Sequence, residues 1–278
     1  MEDYNEVCKI EKIMNTAGYI GIAKEYSQIC HPILKMLGEE NTLAVLRVCV
    51  RYEKISGDNS LIRNLTALVS ELLQYTDKEA VNEIFKASDK ILIDDKSAKQ
   101  FTNILYKSKE IAKTLKEQGN ANLTSKVYSI LEDFGNHAEY TRQAMRDLAE
   151  VSLETVMYGG IDGLECLKEI ALHTAPGGLS ATKELIESGP KTIEGIMQKN
   201  KDGLVKHVLR ACMRIKNGYL AAALFVRSPG ILEEINDEFD GLLIDNIKSM
   251  EMKDAMRFIE KNEEYWKFAQ KIGKLKKI

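Results

Sequence analysis

The sequence is poor in residues that interrupt helices and in the aromatic residues that favour strands. It has four prolines and 18 glycines in 278 residues, and aromatic residues make up 7% of the chain. So few prolines and glycines exclude a chain built mainly of long loops. Leucine, isoleucine, alanine, lysine and glutamate dominate, and most of these side chains lose little rotamer freedom in a helix.

Long apolar runs and signal-like segments are also missing. The longest apolar candidate, 219–226, is far shorter than the roughly 20 residues that a membrane-spanning helix needs. The first residues, MEDYNEVCKIEKIM, are acidic, unlike a secretory signal. The five cysteines are an odd number without close spacing, which predicts reduced core thiols. We therefore expect a cytoplasmic protein without a membrane partner.

A large charge excess is absent as well. The net charge is −3 and the isoelectric point is about 6.0. Domains that bind duplex nucleic acid usually carry a basic excess, which releases counterions from the phosphates. The whole chain lacks that excess, so a nucleic-acid site would have to be a local basic patch.

The pattern that is present is helical. Apolar residues recur every three or four positions in several segments, and each set forms one stripe along a helix. Sustained alternation with a period of two is absent, so we predict no sheet. Two of the stripes are Leu61, Ile62, Leu65, Leu68, Val69, Leu72 and Leu73, and Leu123, Val127, Ile130, Leu131 and Phe134.

The spacing of these segments predicts a repeat. Helix pairs are expected to begin at intervals of about 38 to 44 residues, close to the period of roughly 40 to 47 residues of helical repeats. The predicted starts lie near Glu39, Asp77, Ala121, Gly160, Lys201 and Asp240.

In layout the chain resembles the HEAT and armadillo class of α-solenoids. The segments GGIDGLECLKEIALHT, GGLSATKELIES and KDGLVKHVLRACMRIKNG are similar to the glycine-opened paired helices of that class. The chain lacks the Pro, Asp and Arg that HEAT units often repeat at fixed positions. The resemblance implies an all-α fold of antiparallel helix pairs stacked as an α-solenoid; the alternative is a compact multi-helix bundle. It divides the chain into an N-terminal helical cap (1–38), a helical-repeat domain of about five helix pairs (39–250) and a C-terminal capping helix with a basic tail (251–278).

The segment PGGLSATKE, at 176–184, has the composition of a phosphate-binding loop. A Walker loop requires G-x-x-x-x-G-K-[ST] after a strand, whereas Lys183 follows Thr182 and an amphipathic helical segment comes before. We interpret the segment as the end of one helix and the start of the next, with an anion at the second helix as the alternative.

No motif predicts catalysis, a metal or a cofactor. The sequence has no C-x-x-C pair, no H-E-x-x-H and no G-x-S-x-G. Glu169 and His173 are one helical turn apart, and we interpret them as an ordinary pair on a helix surface. Asp94 and Asp95 lie at a predicted helix start, where acids stabilise the N-terminal end of the helix dipole.

Three basic stripes are the candidate binding residues. Lys206, Arg210 and Arg214 recur every four residues along one helix, and Arg142 and Arg146 repeat that spacing on another. Lys99 belongs to the third, a lysine-rich segment that runs from Lys96 to Lys116. In stacked helical repeats equivalent helices line one surface, so these residues are expected to form a basic face. The alternative is an ordinary solvated surface.

The functional hypothesis is a non-enzymatic scaffold or adaptor that binds a protein partner. It rests on the long surface that repeats offer. One alternative is a helical-repeat protein that binds nucleic acid through the basic faces. Another is a helical enzyme whose pocket the sequence does not locate. The C-terminal segment with Trp266 and a basic end is expected to pack on the last repeat, with contact to an anionic membrane as its alternative.

Overall fold

The fold was analysed in a computed structural model that describes residues 2–18, 23–137, 139–177, 179–198, 204–231, 245 and 247–260. No strand occurs in these ranges, and helices make up most of them, so the predicted all-α class is confirmed. The chain groups by its contacts into an N-terminal unit, 1–138, and a C-terminal unit, 139–278.

The N-terminal unit consists of helices that pack in two rows. Helices α1, α3, α5 and α7 contact one another in succession, and α2, α4 and α6 do the same. The bounds are α1 Glu2–Ala17, α2 Ala23–Leu37, α3 Glu39–Ser56, α4 Ser60–Leu73, α5 Lys78–Asp89, α6 Asp95–Glu117 and α7 Leu123–Asn136.

Neighbouring helices within a row run in the same direction. Lys9 near the middle of α1 pairs with Glu39 at the start of α3, and Gly18 after α1 lies beside Val50 farther along α3. The two rows enclose a core whose largest fully buried side chains include Phe85, Phe101, Phe134 and Tyr128. Burying each such side chain contributes about 1.5–3 kcal/mol, so the apolar stripes stabilise both rows.

Several helices of the C-terminal unit approach one another closely at glycines. Helix α9 packs against α8 and α11, α10 packs against α8 and α11, and α12 contacts α11. The bounds are α8 Glu139–Thr174, a 3₁₀ turn Ala175–Gly177, α9 Leu179–Met197, α10 Leu204–Met213, α11 Gly218–Ile231 and α12 Met252–Glu260.

Helix α8 is broken at Gly160. This residue has φ 62° and ψ −163°, a combination that is essentially restricted to glycine. The break therefore divides α8 into two helical segments close to the predicted start of a helix pair at Gly160. Beyond it, α9 approaches so closely that a Cβ on Gly189 would lie 2.5 Å from Leu167 Cδ2.

Several hydrogen bonds between helices join residues that are about one predicted repeat apart. Thr66 bonds to the carbonyl of Ile29 over 37 positions, and Lys109 bonds to Glu71 over 38. In the C-terminal unit His173 contacts the carbonyl of Ile215 over 42 positions. Contacts at one repeat length are what stacked helix pairs predict.

Helix starts in the first half of the chain lie close to the predicted ones. Helices α3, α5 and α7 begin at Glu39, Lys78 and Leu123. The predicted starts at Lys201 and Asp240, and the predicted packing of the C-terminal segment beyond 260, lie outside the described residues. The α-solenoid arrangement and the three-part division of the chain stay predictions.

Local capping was predicted with mixed success. Asp94 caps α6 by accepting a hydrogen bond from the backbone N–H of Ser97. Gly57 lies where an apolar stripe ends, which predicts a left-handed C-terminal cap, and it ends α3 in that conformation. The segment from Thr76 to Glu79 fits a capping box, which predicts Thr76 as the cap of α5. That prediction was wrong, because Asp77 takes the role by accepting from the N–H of Ala80.

Ser228 directly precedes Pro229, which predicts a helix start capped by Ser228, and this prediction was also wrong. Ser228 lies inside α11, and its hydroxyl donates to the carbonyl of Phe225, so the proline that follows occupies the helix interior. The segment PGGLSATKE does separate two helices: α8 ends at Thr174, and α9 begins at Leu179. None of the described helices combines the length and the apolar character needed to cross a bilayer.

Gly218 offers a test of the close packing in the C-terminal unit. A Cβ at this position would lie 2.8 Å from the carbonyl oxygen of His173 and 2.9 Å from Thr174 Cα, both backbone atoms that cannot rotate away. We expect Gly218→Ala to lower the free energy of unfolding by about 1–3 kcal/mol, as measured by urea denaturation of the full chain.

Gly230 in the same helix provides the matched control. It is exposed, and a Cβ there would meet nothing within 4 Å. Gly230→Ala should therefore leave stability unchanged or raise it by up to about 1 kcal/mol, because alanine favours the helix. Equal effects of the two substitutions would contradict the close approach at Gly218.

Candidate functional site

An open groove lies between α4 and α6 on the N-terminal unit. The two helices run in the same direction, since Glu71 on α4 pairs with Lys109 on α6 at 2.8 Å, and Lys116 one to two turns later bonds to the carbonyl of Gln74. Between them is a cavity of about 170 Å³. Its lining consists of Ser60, Leu61, Asn64, Ala67, Leu68, Glu71, Thr102, Leu105 and Tyr106.

The groove is mainly apolar, with neutral polar groups around it. Leu61 and Leu105 are buried in its walls, and Ala67 is exposed because it is too small to cover them. The hydroxyl of Ser60 donates to Asp58, and that of Thr102 donates to the carbonyl of Lys99. Both hydroxyl protons are therefore already used within the protein.

Tyr106 is the most prominent side chain at the groove. Its side chain is 72% exposed, the highest value among the large apolar residues that the structure describes. On the same helix Leu105 points into the core and is 2% exposed. Large exposed aromatic side chains beside an apolar depression are typical of protein-binding surfaces.

The two carboxylates beside the groove, Asp58 and Glu71, already have hydrogen-bond partners within the protein. Hydrogen bonds from Ser60 lower the pKa of Asp58, and the hydrogen bond from Lys109 to Glu71 raises the pKa of that lysine. Both acids therefore already accept hydrogen bonds within the protein, Asp58 from Ser60 and Glu71 from Lys109.

The structure places the predicted basic stripes in two different units. Lys206, Arg210 and Arg214 are exposed along and just after α10 in the C-terminal unit. Lys206 is not a free cation, because Asp162 on α8 holds it at 2.8 Å and raises its pKa. For Arg210 and Arg214 the described residues offer no carboxylate within 4 Å.

The second and third stripes also lie in different units. Arg146 on α8 pairs with Asp147 at 3.0 Å and with Glu150 at 3.4 Å, and Arg142 one turn earlier is half-buried. Lys99 belongs to α6 in the N-terminal unit, where it lies one turn before the groove residue Thr102. Whether these stripes form one basic face stays a prediction.

The described cysteines are buried, and one histidine joins two segments of the fold. Cys30, Cys49, Cys166 and Cys212 are buried free thiols. Burial raises the pKa of Cys30 to about 11 and that of Cys166 to about 12. The Nε2 atom of His173 lies 2.6 Å from the carbonyl oxygen of Ile215, so this ring joins two segments of the fold. Within the described ranges no three potential metal ligands cluster.

The groove was missed by the sequence prediction. The signal that points to it is a single aromatic residue outside the apolar stripe of α6: Tyr106 follows the buried pair Ile104 and Leu105. One such residue has no predictive weight, because scattered exposed apolar side chains are normal. The depression itself depends on the distance between two helices that are 38 positions apart in the chain.

Comparison with known proteins gives no relative for this chain. Neither a protein-family model, nor a curated protein, nor a solved structure matches it significantly. The groove and its geometry therefore carry the functional argument.

Burial of the thiols leads to a prediction about their reactivity. The thiolate is the reactive form, and a rise in pKa from 9.0 to about 11 lowers the thiolate fraction of Cys30 about 100-fold near neutral pH. In a Cys8→Ser variant, which retains the four buried thiols, we expect Ellman's reagent to react at least about 100-fold faster after unfolding than before.

The unfolded protein is the control for that measurement, and it should release four equivalents of chromophore. A native thiol that reacts at the rate of an ordinary exposed cysteine would contradict the inert character assigned to these residues.

Proposed function

We propose that this chain is a non-enzymatic scaffold or adaptor of stacked helix pairs, and that it binds a protein partner in the groove between α4 and α6. The observation that carries the proposal is the apolar cavity of about 170 Å³ beside Tyr106, whose side chain is 72% exposed. The buried thiols are consistent with action in a reducing compartment such as the cytoplasm.

The composition of the groove resembles that of a protein interface. Interfaces have an apolar centre with aromatic side chains and a rim of polar groups. Here Leu61, Leu68 and Leu105 supply the apolar centre, and Ser60 and Asn64 lie at the rim. Tyrosine is among the residues that contribute most to binding energy, because its large rigid ring is ordered at low entropic cost.

Both walls of the groove are anchored to the core. Leu65 on α4 and Ile104 on α6 are buried, and an exposed ion pair between Glu71 and Lys109 joins the two helices. We expect such a groove to be formed before a partner binds, which limits the entropy lost on binding.

The electrostatics favour binding over chemistry. The two acids at the groove have hydrogen-bonded partners, and burial raises the pKa of the Cys30 and Cys166 thiols. These groups therefore act as fixed charges or packing groups in the proposed function.

Substitution of Ala67 tests the proposal. Ala67 lines the groove and is exposed, so Ala67→Lys places a charge in the cavity without altering the core. We expect tagged wild-type protein to recover a specific protein from its source cells. The Ala67→Lys variant should recover it at least about 10-fold less efficiently, by quantitative mass spectrometry, because the longer side chain occupies the cavity that the partner would enter.

Two controls separate the groove from other surfaces. Ser129→Lys introduces the same charge at an exposed position of α7, and it should leave recovery unchanged. Lys206→Glu, Arg210→Glu and Arg214→Glu combined test the basic stripe of α10. If the triple variant loses the partner while Ala67→Lys recovers it fully, the binding site lies at α10 and not in the groove. If nuclease treatment of the wild-type sample removes the partner, the nucleic-acid alternative is favoured instead.

A further inference from the structure

We propose that the C-terminal unit binds the surface of an anionic lipid bilayer through three connections between its helices. These connections comprise residues 173–176 and 179, 213–219, and 247–253, and together they are called the turn surface below. The inference goes beyond the proposed function, because the groove and its protein partner belong to the N-terminal unit. It rests on the position of the three connections, on their exposed apolar side chains and on their unpaired cations.

Hydrogen-bond contacts hold the three connections together. The Nε2 atom of His173 lies 2.6 Å from the carbonyl oxygen of Ile215, which joins the first connection to the second. The side-chain amide of Asn217 donates to the sulfur of Met252 at 3.9 Å, which joins the second to the third. All three connections therefore lie at one end of this unit's helices.

Exposed apolar side chains are concentrated on the turn surface. It holds four of the nine large apolar side chains that are exposed in the described part of the chain, although it comprises less than a tenth of the described residues. These four are Leu179 (40% exposed), Met213 (42%), Tyr219 (39%) and Met252 (51%). Scattered exposed apolar residues are normal, whereas a group of them on adjoining segments marks a binding surface.

The charge of the turn surface is mainly positive. It carries four exposed basic residues, and the described part of the chain offers none of them a carboxylate within 4 Å. These are Arg214, Lys216, Lys248 and Lys253. The turn surface has one acid, Glu251, and the next acid along the chain, Asp254, pairs with Arg257. One turn farther along their helices, the exposed Arg210 and Asp245 offset each other in charge. The surface therefore has the opposite sign to the whole chain, whose net charge is −3.

This combination of side chains suits a lipid surface. Met213 is followed by Arg214, and Met252 by Lys253, so each exposed methionine has a cation beside it. At a bilayer surface apolar side chains enter the acyl boundary while lysine and arginine keep their charges at the headgroups. Tyrosine favours the same boundary, because its ring is apolar and its hydroxyl is polar. A bilayer also meets several separate turns at once without a matching pocket, and a contact on its surface needs no helix that crosses it.

The charges determine which lipids are bound. Each lysine or arginine near an anionic leaflet strengthens binding by about fivefold, so four cations against one acid correspond to about 100-fold over a neutral bilayer. This attraction acts within a Debye length of the surface, so salt weakens it. The contribution of the apolar side chains does not depend on salt in this way.

Vesicle sedimentation tests the inference with the full chain. The probes are vesicles of phosphatidylcholine alone and of phosphatidylcholine mixed with phosphatidylserine. We expect the wild-type chain to bind the anionic vesicles about 100-fold more tightly than the neutral ones at low salt, and the ratio to fall as salt is added. Equal binding to both kinds of vesicle, or no binding to the anionic ones, would overturn the inference.

A pair of charge reversals locates the electrostatic part of the contact. Lys216→Glu combined with Lys253→Glu should weaken binding to the anionic vesicles by at least about 25-fold at low salt. The matched control is Lys78→Glu combined with Lys126→Glu, which changes the net charge equally at two exposed lysines of the N-terminal unit. The control should bind as the wild-type chain does, and an equal loss in both pairs would show that net charge and not the turn surface attracts the lipid.

A pair of methionine substitutions tests the apolar part. Met213→Ser combined with Met252→Ser should weaken binding by at least about fivefold at low and at high salt, because less apolar surface is buried. Met157→Ser combined with Met197→Ser is the matched control, since these side chains are 46% and 45% exposed elsewhere in the same unit. Greater loss in the control pair would contradict insertion at the turn surface.

The remaining outcomes distinguish other sites and other proposals. If Lys271→Glu combined with Lys274→Glu abolishes vesicle binding while the reversals at Lys216 and Lys253 do not, the C-terminal segment is the lipid contact and the inference is wrong. If those two reversals reduce partner recovery from cells and the wild-type chain ignores anionic vesicles, the turn surface binds a protein instead. Ala67→Lys should leave vesicle binding unchanged, so this inference and the proposed function fail independently.

Discussion

The N-terminal unit depends on the burial of each helix's apolar stripe against the helix two places along the chain. No disulfide joins the four described cysteines, and the described residues form no sheet, so helix packing alone must offset the entropy of ordering the chain. In the N-terminal unit this requirement produces two rows of helices. Polar contacts such as that of Arg51 with Asp89 and with the carbonyl of Leu92 fix the register of α3 against the end of α5.

The groove follows from the same requirement. Helix α4 uses Ile62, Leu65 and Val69 to pack against the core, which leaves Ser60, Asn64 and Ala67 facing outward. These side chains are too short to fill the space toward α6, where Tyr106 projects away from its own core stripe. An apolar depression with an exposed ring is the result. The surface that we assign to binding is therefore a by-product of which positions the core needs.

The sequence predicted what is encoded within one helix and its immediate ends. The stripe that begins at Leu61, the acid at Asp94 and the glycine at Gly57 each act through local backbone chemistry, and each has the expected role. The failures arise where two signals competed. Asp77 displaced Thr76 as a cap, and Ser228 bonded within its helix although a proline follows. The groove could not be predicted from the sequence, because it depends on the distance between α4 and α6. The spacing of apolar residues within one helix carries no information about that distance.

The two-row packing of the N-terminal unit also has an evolutionary consequence. Because α3 meets α5, and α4 meets α6, at a separation of about 38 residues, each of these helix pairs contacts the pair that follows it in the chain. The outward positions beside Tyr106 take no part in those contacts with the core, so a change there leaves the packing of the helix rows unaltered. Selection for a partner can therefore act on this surface separately from selection for stability.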